Sequence, residues 1–382
     1  MSFPLPIPSA LESVLRPGTT VLMALSGGVD SSVALALLFH LRCRVHTVTF
    51  KNFCYGDSDP AGATPGDKAC CSLEAIEDAR RIAYRFDCRH QVSDVSARFQ
   101  EQVITPFVAE YGRARTPNPC IDCNAAVRFP ELLRLADLLG LDLVATGHYA
   151  RISRSDQQWQ LRRGLDPEKD QAYFLYRLKA EDLPRIVFPL GWYTKTEVRQ
   201  AAGTLGLPVA AKPDSQEICF VPEDDRSFLF QASRGSLPGD IVDRKGELLG
   251  RHRGLVYYTV GQRRGLGIAA GQPLYVLALD NEHNRLIVGT AEELAVTRLW
   301  CDRFVSSAPD FSATGPPRGI AGNWLARIRH RHRGVAVAQW RLDERRLMVA
   351  LTEPVFGAAP GQALVMYRDD IVLGGGRIVK TA

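Results

Sequence analysis

The run Val21-Leu22-Met23-Ala24-Leu25-Ser26-Gly27-Gly28-Val29-Asp30-Ser31-Ser32, continued by Val33-Ala34-Leu35-Ala36-Leu37-Leu38-Phe39, constrains this chain more than any other stretch. An apolar segment that ends in Ser-Gly-Gly and resumes as an apolar helix after Asp-Ser-Ser reads as a buried strand turning sharply into a helix N-terminus. Such a turn binds anions. Glycine lets the backbone approach a ligand closely, the first helical N–H groups have no intrahelical partner, and the hydroxyls of Ser26, Ser31 and Ser32 add donors for phosphate oxygens. No Lys follows the glycines, as an ordinary P-loop requires, and Asp30-Ser31-Ser32 displaces the third glycine of a dinucleotide fingerprint. A helix that is merely capped by Asp30 and the serines is the alternative.

Residues 1–209 alternate strands and helices. Strands are expected at 20–25, 45–50 and 143–145, and Ile76, Ala79, Ala83 and Phe86 form a one-sided stripe on a helix over 74–86. A further helix is expected from Pro130 to Leu139, stopped by Gly140, and another opens on Thr194-Lys195-Thr196-Glu197, a capping box, and ends near Gly206. This predicts an α/β domain with a parallel sheet over residues 1–209, its ligands at the carboxyl ends of the strands. Residues 210–273, short and punctuated by Gly and Pro, read as a small central domain. Residues 274–382 read as a C-terminal β-barrel, with strands at 274–279, 285–288, 325–328, 335–340, 347–351 and 363–367 and a flexible loop over 306–319.

No stretch of about 18 apolar residues occurs, and residues 1–10 lack a basic segment and carry three prolines, so a soluble cytoplasmic protein with no membrane partner is expected. The net charge of +5 is modest, but seven arginines between positions 327 and 346, and four with no acid over 251–264, suit a phosphate backbone as well as they suit a solvated barrel face.

Nine cysteines in a chain without secretory features point to thiols used for chemistry or metal rather than to a disulfide framework. Cys120 and Cys123 stand three apart in a loop stiffened by Pro117 and Pro119, and a second candidate, Cys219, lies far along the chain. Sulfur transfer needs one thiol to carry sulfur and another to resolve it. A metal is the competing use: zinc would need two more ligands from Cys54, Cys70, Cys71 or Cys219, and an iron–sulfur cluster could be held by Cys120, Cys123 and Cys219. Cys43, Cys88 and Cys301 read as small buried hydrophobes.

Ser26-Gly27-Gly28-Val29-Asp30-Ser31-Ser32 resembles the pyrophosphate-binding loop of the ATP pyrophosphatase superfamily. With Thr116-Pro117-Asn118-Pro119, Cys123-Asn124, Ala145-Thr146-Gly147-His148-Tyr149-Ala150-Arg151, Lys169-Asp170-Gln171-Ala172-Tyr173-Phe174-Leu175, Asp214-Ser215-Gln216-Glu217-Ile218-Cys219-Phe220 and Thr259-Val260-Gly261-Gln262-Arg263-Arg264-Gly265-Leu266-Gly267, nearly the whole chain resembles the bacterial tRNA-specific 2-thiouridylases. The resemblance implies ATP binding by Ala24, Leu25, Ser26, Gly27, Gly28, Val29, Asp30, Ser31 and Ser32, with Phe50 (often Met in the family) and Gly147, and Mg²⁺ to screen the phosphates. It implies that Cys219 carries a persulfide and Cys123 is its partner thiol, closing a disulfide during turnover. Asn118, Pro119 and Cys120 would surround the target base; many family members have Asp in place of Cys120. His148, Lys169, Asp170, Gln171, Arg329, His330, Arg331 and Gln362 would touch tRNA, and the sulfur would come from a donor protein, a cysteine desulfurase or relay carrier. An amide ligase with the same loop, or a tRNA-binding sulfur carrier with a vestigial one, are the rival readings. The insert over 54–71 has no assigned role.

Overall fold

A computed structural model describes residues 3–53, 73–155, 157–213, 218–221, 237–308, 311, 314–315 and 322–382. The insert over 54–71, the segment Asp214-Ser215-Gln216-Glu217 and most of the 306–319 loop therefore lie outside the described residues. The chain divides into two units, one of Met1–Val103 with Cys120–Asp224, the other of Ile104–Pro119 with Asp225–Ala382.

In chain order the elements are α1 (Ser9–Val14), β1 (Thr20–Ala24), α2 (Val29–His40), β2 (Arg44–Lys51), α3 (Leu73–Arg85), β3 (Arg89–Asp94) and α4 (Ser96–Phe99). Helix α5 (Thr105–Gly112) belongs to the second unit. There follow α6 (Pro119–Asp122), α7 (Phe129–Leu139), β4 (Leu143–Ala145), the hairpin β5 (Ala150–Ser155) and β6 (Gln158–Arg163), β7 (Ile186–Val187) and α8 (Lys195–Thr204). The remaining strands are β8 (Gly239–Val242), β9 (Leu248–His252), β10 (Tyr275–Asp280), β11 (Arg285–Gly289), β12 (Ala295–Ser306), β13 (Trp324–Arg327), β14 (Val335–Asp343), β15 (Arg346–Phe356), β16 (Ala363–Arg368) and β17 (Ile371–Thr381).

The first unit is built on a five-stranded sheet in the order β3-β2-β1-β4-β7, whose pairings are all parallel. Its centre is β1, where Val21, Leu22 and Met23 are wholly buried, as expected of a parallel strand covered on both faces. Helix α2 is apolar nearly all round because it is covered nearly all round. Val33, Leu35, Leu37 and Leu38 are fully buried, and each contributes roughly 1.5–3 kcal/mol by the usual transfer scale. Helix α7 ends on Gly140 in the left-handed conformation (φ +64°), and α8 begins with the complete Thr194–Glu197 capping box. The strand order reverses between β1 and β4, and a crevice at such a switch point is where open α/β sheets bind ligands.

The second unit holds two sheets. Strands β10, β11, β8 and β9 form one of four, so the strands that the pattern from Leu274 onward assigns to the barrel pair instead with β8 and β9. Six antiparallel strands in the order β12-β15-β14-β13-β16-β17 close into a barrel through β12 and β17. Trp340, 1% exposed, fills its core against Trp324 and Phe311, with ring centroids 4.9 and 5.5 Å away. Helix α5 is fixed to this unit by the buried Glu110, whose carboxylate meets Arg377 and Arg113 at 3.2 Å and Arg115 at 3.5 Å.

Candidate active site

The turn from β1 into α2 stands at the switch point. Leu25 donates its N–H to Val48 O of β2 (2.9 Å), and Thr49 Oγ1 donates to Leu25 O (2.5 Å), so the chain leaves the sheet in one direction only. Phe50, half-buried, follows in the same strand. Gly27 takes φ +70°, and a Cβ there would lie 2.3 Å from Ala75 O of α3; no other residue type fits without displacing that helix. Ser31 Oγ lies 3.1 Å from Ser26 Oγ and accepts the Ser26 N–H at 3.2 Å, while Ser32 Oγ donates to Gly28 O at 2.8 Å. Gly28 caps α2 without a side-chain bond, so the first N–H groups of the helix are left for an anion, with Ser26 exposed and Gly28 and Asp30 half-buried at the mouth. The loop therefore fits the pyrophosphate of a nucleotide. Gly147, just past β4, approaches it so closely that a Cβ would stand 2.9 Å from Ser31 N.

From Asp30 a hydrogen-bonded path runs through the first unit. Tyr149 OH donates to Asp30 Oδ1 (2.8 Å), and the Tyr149 N–H donates to Gln171 Oε1 (2.9 Å). Asp170, 1% exposed, accepts from the Gly164 and Ala172 N–H groups at 3.0 Å and from Arg163 at 3.1 Å; its carboxylate holds the 164–172 turn in shape. Lys169 is half-buried on that turn. From there Phe174 O accepts from Asn124 Nδ2 (3.3 Å), Arg128 donates to Asn124 Oδ1 (3.0 Å), and the same guanidinium nitrogen lies 3.4 Å from His148 Nε2. The His148 ring is wedged between Phe129 and Phe188 (centroids 6.0 and 5.9 Å), and its Nδ1 is 2.7 Å from Thr146 Oγ1. Burial, with Arg128 beside it, pushes its pKa down to about 3, so it is neutral at physiological pH.

The path ends beside Cys123. This thiol is buried at the start of a π-helical turn, Cys123–Arg128, whereas Cys120 is exposed one turn earlier on α6; Asp122 between them is paired with Arg177. π-Turns inside helices occur often at functional sites. Cys219 is half-buried, and its neighbour Phe220 packs edge-on against Phe99 (5.6 Å) of α4, a helix that rests on the Cys123 turn. Among the described residues no three Cys, His, Asp or Glu side chains are grouped to hold a metal ion, so Cys120, Cys123 and Cys219 do not form a cluster site in this arrangement. Cys43, Cys88 and Cys301 are free thiols. Burial pushes the Cys43 and Cys88 thiols up to about 11 and raises Cys301 further, as inert packing residues require.

In the second unit, Thr116 donates its N–H to Pro360 O (2.8 Å), so the segment bearing Asn118 (half-buried) and Pro119 (buried) is pinned to the turn that carries Gln362. Arg329 and Arg331 are exposed and His330 half-buried; Arg327 is spent on the backbone carbonyls of His330 and His332, which shapes that loop.

Residues 19–223 match the family described as the tRNA methyl transferase HUP domain, 226–290 the tRNA methyl transferase PRC-barrel domain, and 302–378 the aminomethyltransferase beta-barrel domain. A protein of Geobacter metallireducens named tRNA-specific 2-thiouridylase MnmA is 47% identical over 94% of this chain and 96% of its own length. Those of the same name from Heliobacterium modesticaldum and Moorella thermoacetica are each 44% identical over 94% of this chain and 92% and 99% of theirs. The chain belongs to the tRNA-specific 2-thiouridylase family. Among solved structures, a U34-tRNA thiolase, NcsA from Methanococcus maripaludis, is matched with a TM-score of 0.34 at 19% identity over 59% of this chain and 66% of that one.

One residue of this site is missed by motif reading. Lys195, 8% exposed, opens α8 and reaches back to place Nζ 2.7 Å from Asp30 Oδ1 and 5.9 Å from the Tyr149 ring centroid, while its N–H donates to Asp166 Oδ2 (2.9 Å). A P-loop carries a lysine within its own motif; here a lysine from a helix remote in sequence meets the acid of the loop. The only signal would have been an apolar-faced helix opening with a lysine that has no local acid to pair with.

Proposed function

We propose that this protein is the ATP-dependent thiolase of C2 of the wobble uridine of tRNA. The observation that carries this reading is the continuous hydrogen-bonded path from Asp30, in the pyrophosphate cradle, to the turn that bears Cys123. A uracil carbonyl oxygen is a poor leaving group. Attack of that oxygen on the α-phosphorus of ATP makes it part of AMP, and pyrophosphate departs into the turn of Ser26, Gly27, Gly28 and Ser31, with Lys195 supplying positive charge. Mg²⁺, if bound with the nucleotide, would screen the phosphates, with Asp30 an acid on the loop itself. The terminal sulfur of a Cys219 persulfide attacks C2 and AMP leaves. The Cys123 thiolate then attacks Cys219 Sγ, releasing 2-thiouridine and leaving a Cys123–Cys219 disulfide for an external thiol to reduce.

Residues 1–209, together with Cys219 just beyond them, would carry this chemistry, with 210–273 and 274–382 as the central and C-terminal domains that hold RNA. Asn118, Pro119 and Cys120 would line the base, and Lys169, Gln171, Arg329, His330, Arg331 and Gln362 would reach tRNA; His148 and Asp170 would act through the loops they brace. A cysteine desulfurase or relay protein would load Cys219. The cytoplasm, where tRNA and such donors meet, is the proposed location; no helix among the described residues is long and apolar enough to cross a membrane. Methyl transfer, the activity in two of the matched descriptions, would leave the cradle and both thiols without a task.

The test is Cys219→Ser. It should abolish thiouridine formation while tRNA binding and tRNA-dependent pyrophosphate release persist. Thiouridine made by the variant would remove the sulfur-carrying role, and pyrophosphate release that needs no tRNA would remove the substrate.

A further inference from the structure

The second unit contains a cleft of about 290 Å³ of which only Arg329 figures in the reading above. Its walls come from separate stretches: Tyr275 at the start of β10, Phe356 and Gly357 at the end of β15, Arg329 from the loop after β13, and Gly261 from the Thr259-to-Gly267 motif, with Leu294 beneath. The floor is backbone. A Cβ on Gly261 would lie 2.8 Å from Gly357 Cα, so two glycine-bearing segments pass close together there with no side chain between them. The rim is aromatic and cationic. Phe356 is 47% exposed, and Arg329 donates to the backbone Phe356 O at 3.1 Å, which holds its guanidinium at the rim. Exposed arginines follow each wall in sequence, Arg263 and Arg264 after Gly261 and Arg331 and Arg333 after Arg329. Glu293, on the turn below, is occupied by Arg244 (3.5 Å) and the Thr290 N–H (2.9 Å).

Two aromatic rings, a guanidinium and a peptide floor, in a space just below the roughly 300–1,000 Å³ of ordinary ligand pockets, match one base with its ribose and phosphate. They do not match a folded protein surface. Stacking platforms flanked by arginine are how proteins grip unstacked nucleotides. We propose that this cleft holds one unstacked nucleotide of the tRNA, its base against Phe356 and Tyr275 and its phosphate on Arg329. This nucleotide is distinct from the uridine being thiolated, which the reading above sets against Asn118, Pro119 and Cys120. The inference rests on the tRNA reading above.

Phe356 is half in water, so its replacement should leave the fold intact, which thermal unfolding of each variant checks. With the full chain and an unmodified tRNA transcript, Phe356→Ala and Phe356→Leu should raise the tRNA Kd about tenfold to a hundredfold, the range for one base stack, and the loss should appear in the KM for tRNA. Phe356→Tyr, which keeps the ring, should bind as the parent does, and Arg329→Gln should reduce the salt slope of binding by about one unit. If wild type binds tRNA and Phe356→Ala binds it equally well, the cleft is not a nucleotide site. If Phe356→Leu binds like the parent, the ring is merely apolar and stacking is wrong. If Phe356→Ala instead impairs only persulfide delivery by a donor protein, the occupant is protein and the proposal falls. Failure of the wild type itself to bind tRNA would overturn the parent reading, a result separable from all of these.

Discussion

Replacing Lys195 by Met keeps the stem of the side chain and deletes the charge, which isolates what the ammonium does for the cradle. The Nζ–Oδ1 separation of 2.7 Å corresponds to about 6 kcal/mol of attraction at an effective dielectric of about 20, most of which is cancelled by the cost of drying the two ions. Lys195 is 10% and Asp30 32% exposed at the side chain, so water screens the acid from one side, and Tyr149 OH still donates to it after the substitution. The stability loss should therefore be about 1–2 kcal/mol, below the ~3–5 expected when a fully buried pair loses one member. Catalysis should suffer more. A fixed donor aimed at charge that develops on the leaving group is worth about 10²–10³ in rate, so tRNA-dependent pyrophosphate release under saturating ATP should fall by that factor. Asp30→Asn combined with Lys195→Met should be less than additive, since each removes the same contact. A Lys195→Met enzyme that releases pyrophosphate within threefold of the parent rate would show that the lysine only packs, and the argument for it as the missing P-loop lysine would be wrong.

Gly27→Ala should cost about 1–3 kcal/mol and weaken ATP use, because φ +70° and a Cβ 2.3 Å from Ala75 O both oppose it; Gly28→Ala, at φ −100° with nothing nearer than 3.5 Å, should be mild, and equal effects in urea unfolding would refute the distinction. His148 has a folded pKa of about 3 against an ordinary 6.5, so the unfolded chain binds the extra proton: stability is full above pH 6.5 and falls as pH drops towards 3, by up to about 1.4 kcal/mol per pH unit. His148→Gln should remove one proton from that slope, and an unchanged slope between pH 7 and 5 would contradict the neutral, wedged imidazole. Trp340→Ala should destabilise the barrel by about 3–5 kcal/mol in denaturant titration; a loss under 1 kcal/mol would mean the barrel is not built on that ring.

The parts legible in the sequence are those whose cause is local. The β1–α2 junction, the Gly140 stop and the Thr194–Glu197 box are each set by residues within a turn of one another, and all three stand where periodicity and capping put them. Strand β3 is an edge strand of Arg-His-Gln-Val-Ser-Asp with no fully buried position, so it has no apolar alternation to read. The β5–β6 hairpin is charged on both faces for the same lack of signal. Strand β17 contains Gly374-Gly375-Gly376, which reads as a turn. In the barrel those glycines are what let β17 cross β12: a Cβ on Gly374 would lie 2.3 Å from Val305 O and one on Gly376 2.8 Å from Asp302 O. Lys195 is hidden because its partner is 165 positions away, beyond any spacing that a local pattern could show.

The site's own layout follows from the topology of the parallel sheet. Three stretches of the first unit follow this layout: Ser26 after β1, Gly147 and His148 after β4, and Cys123 before the helix that returns the chain to β4. Parallel strands deliver all such ends to one edge, so residues as far apart in sequence as Asp30 and Lys195 gather there without any local pattern announcing it. The buried groups that are costly to leave unpaired, Asp170, Asn124 and Lys195, are the ones that join these loops to one another. Their hydrogen bonds cost little in a site that must be rigid. They also explain why a thiol at the head of a π-turn is held in register with a nucleotide cradle built from a different strand: displacing either loop would leave a buried polar group unsatisfied at about 1–3 kcal/mol, a larger penalty than most loop motions could offset.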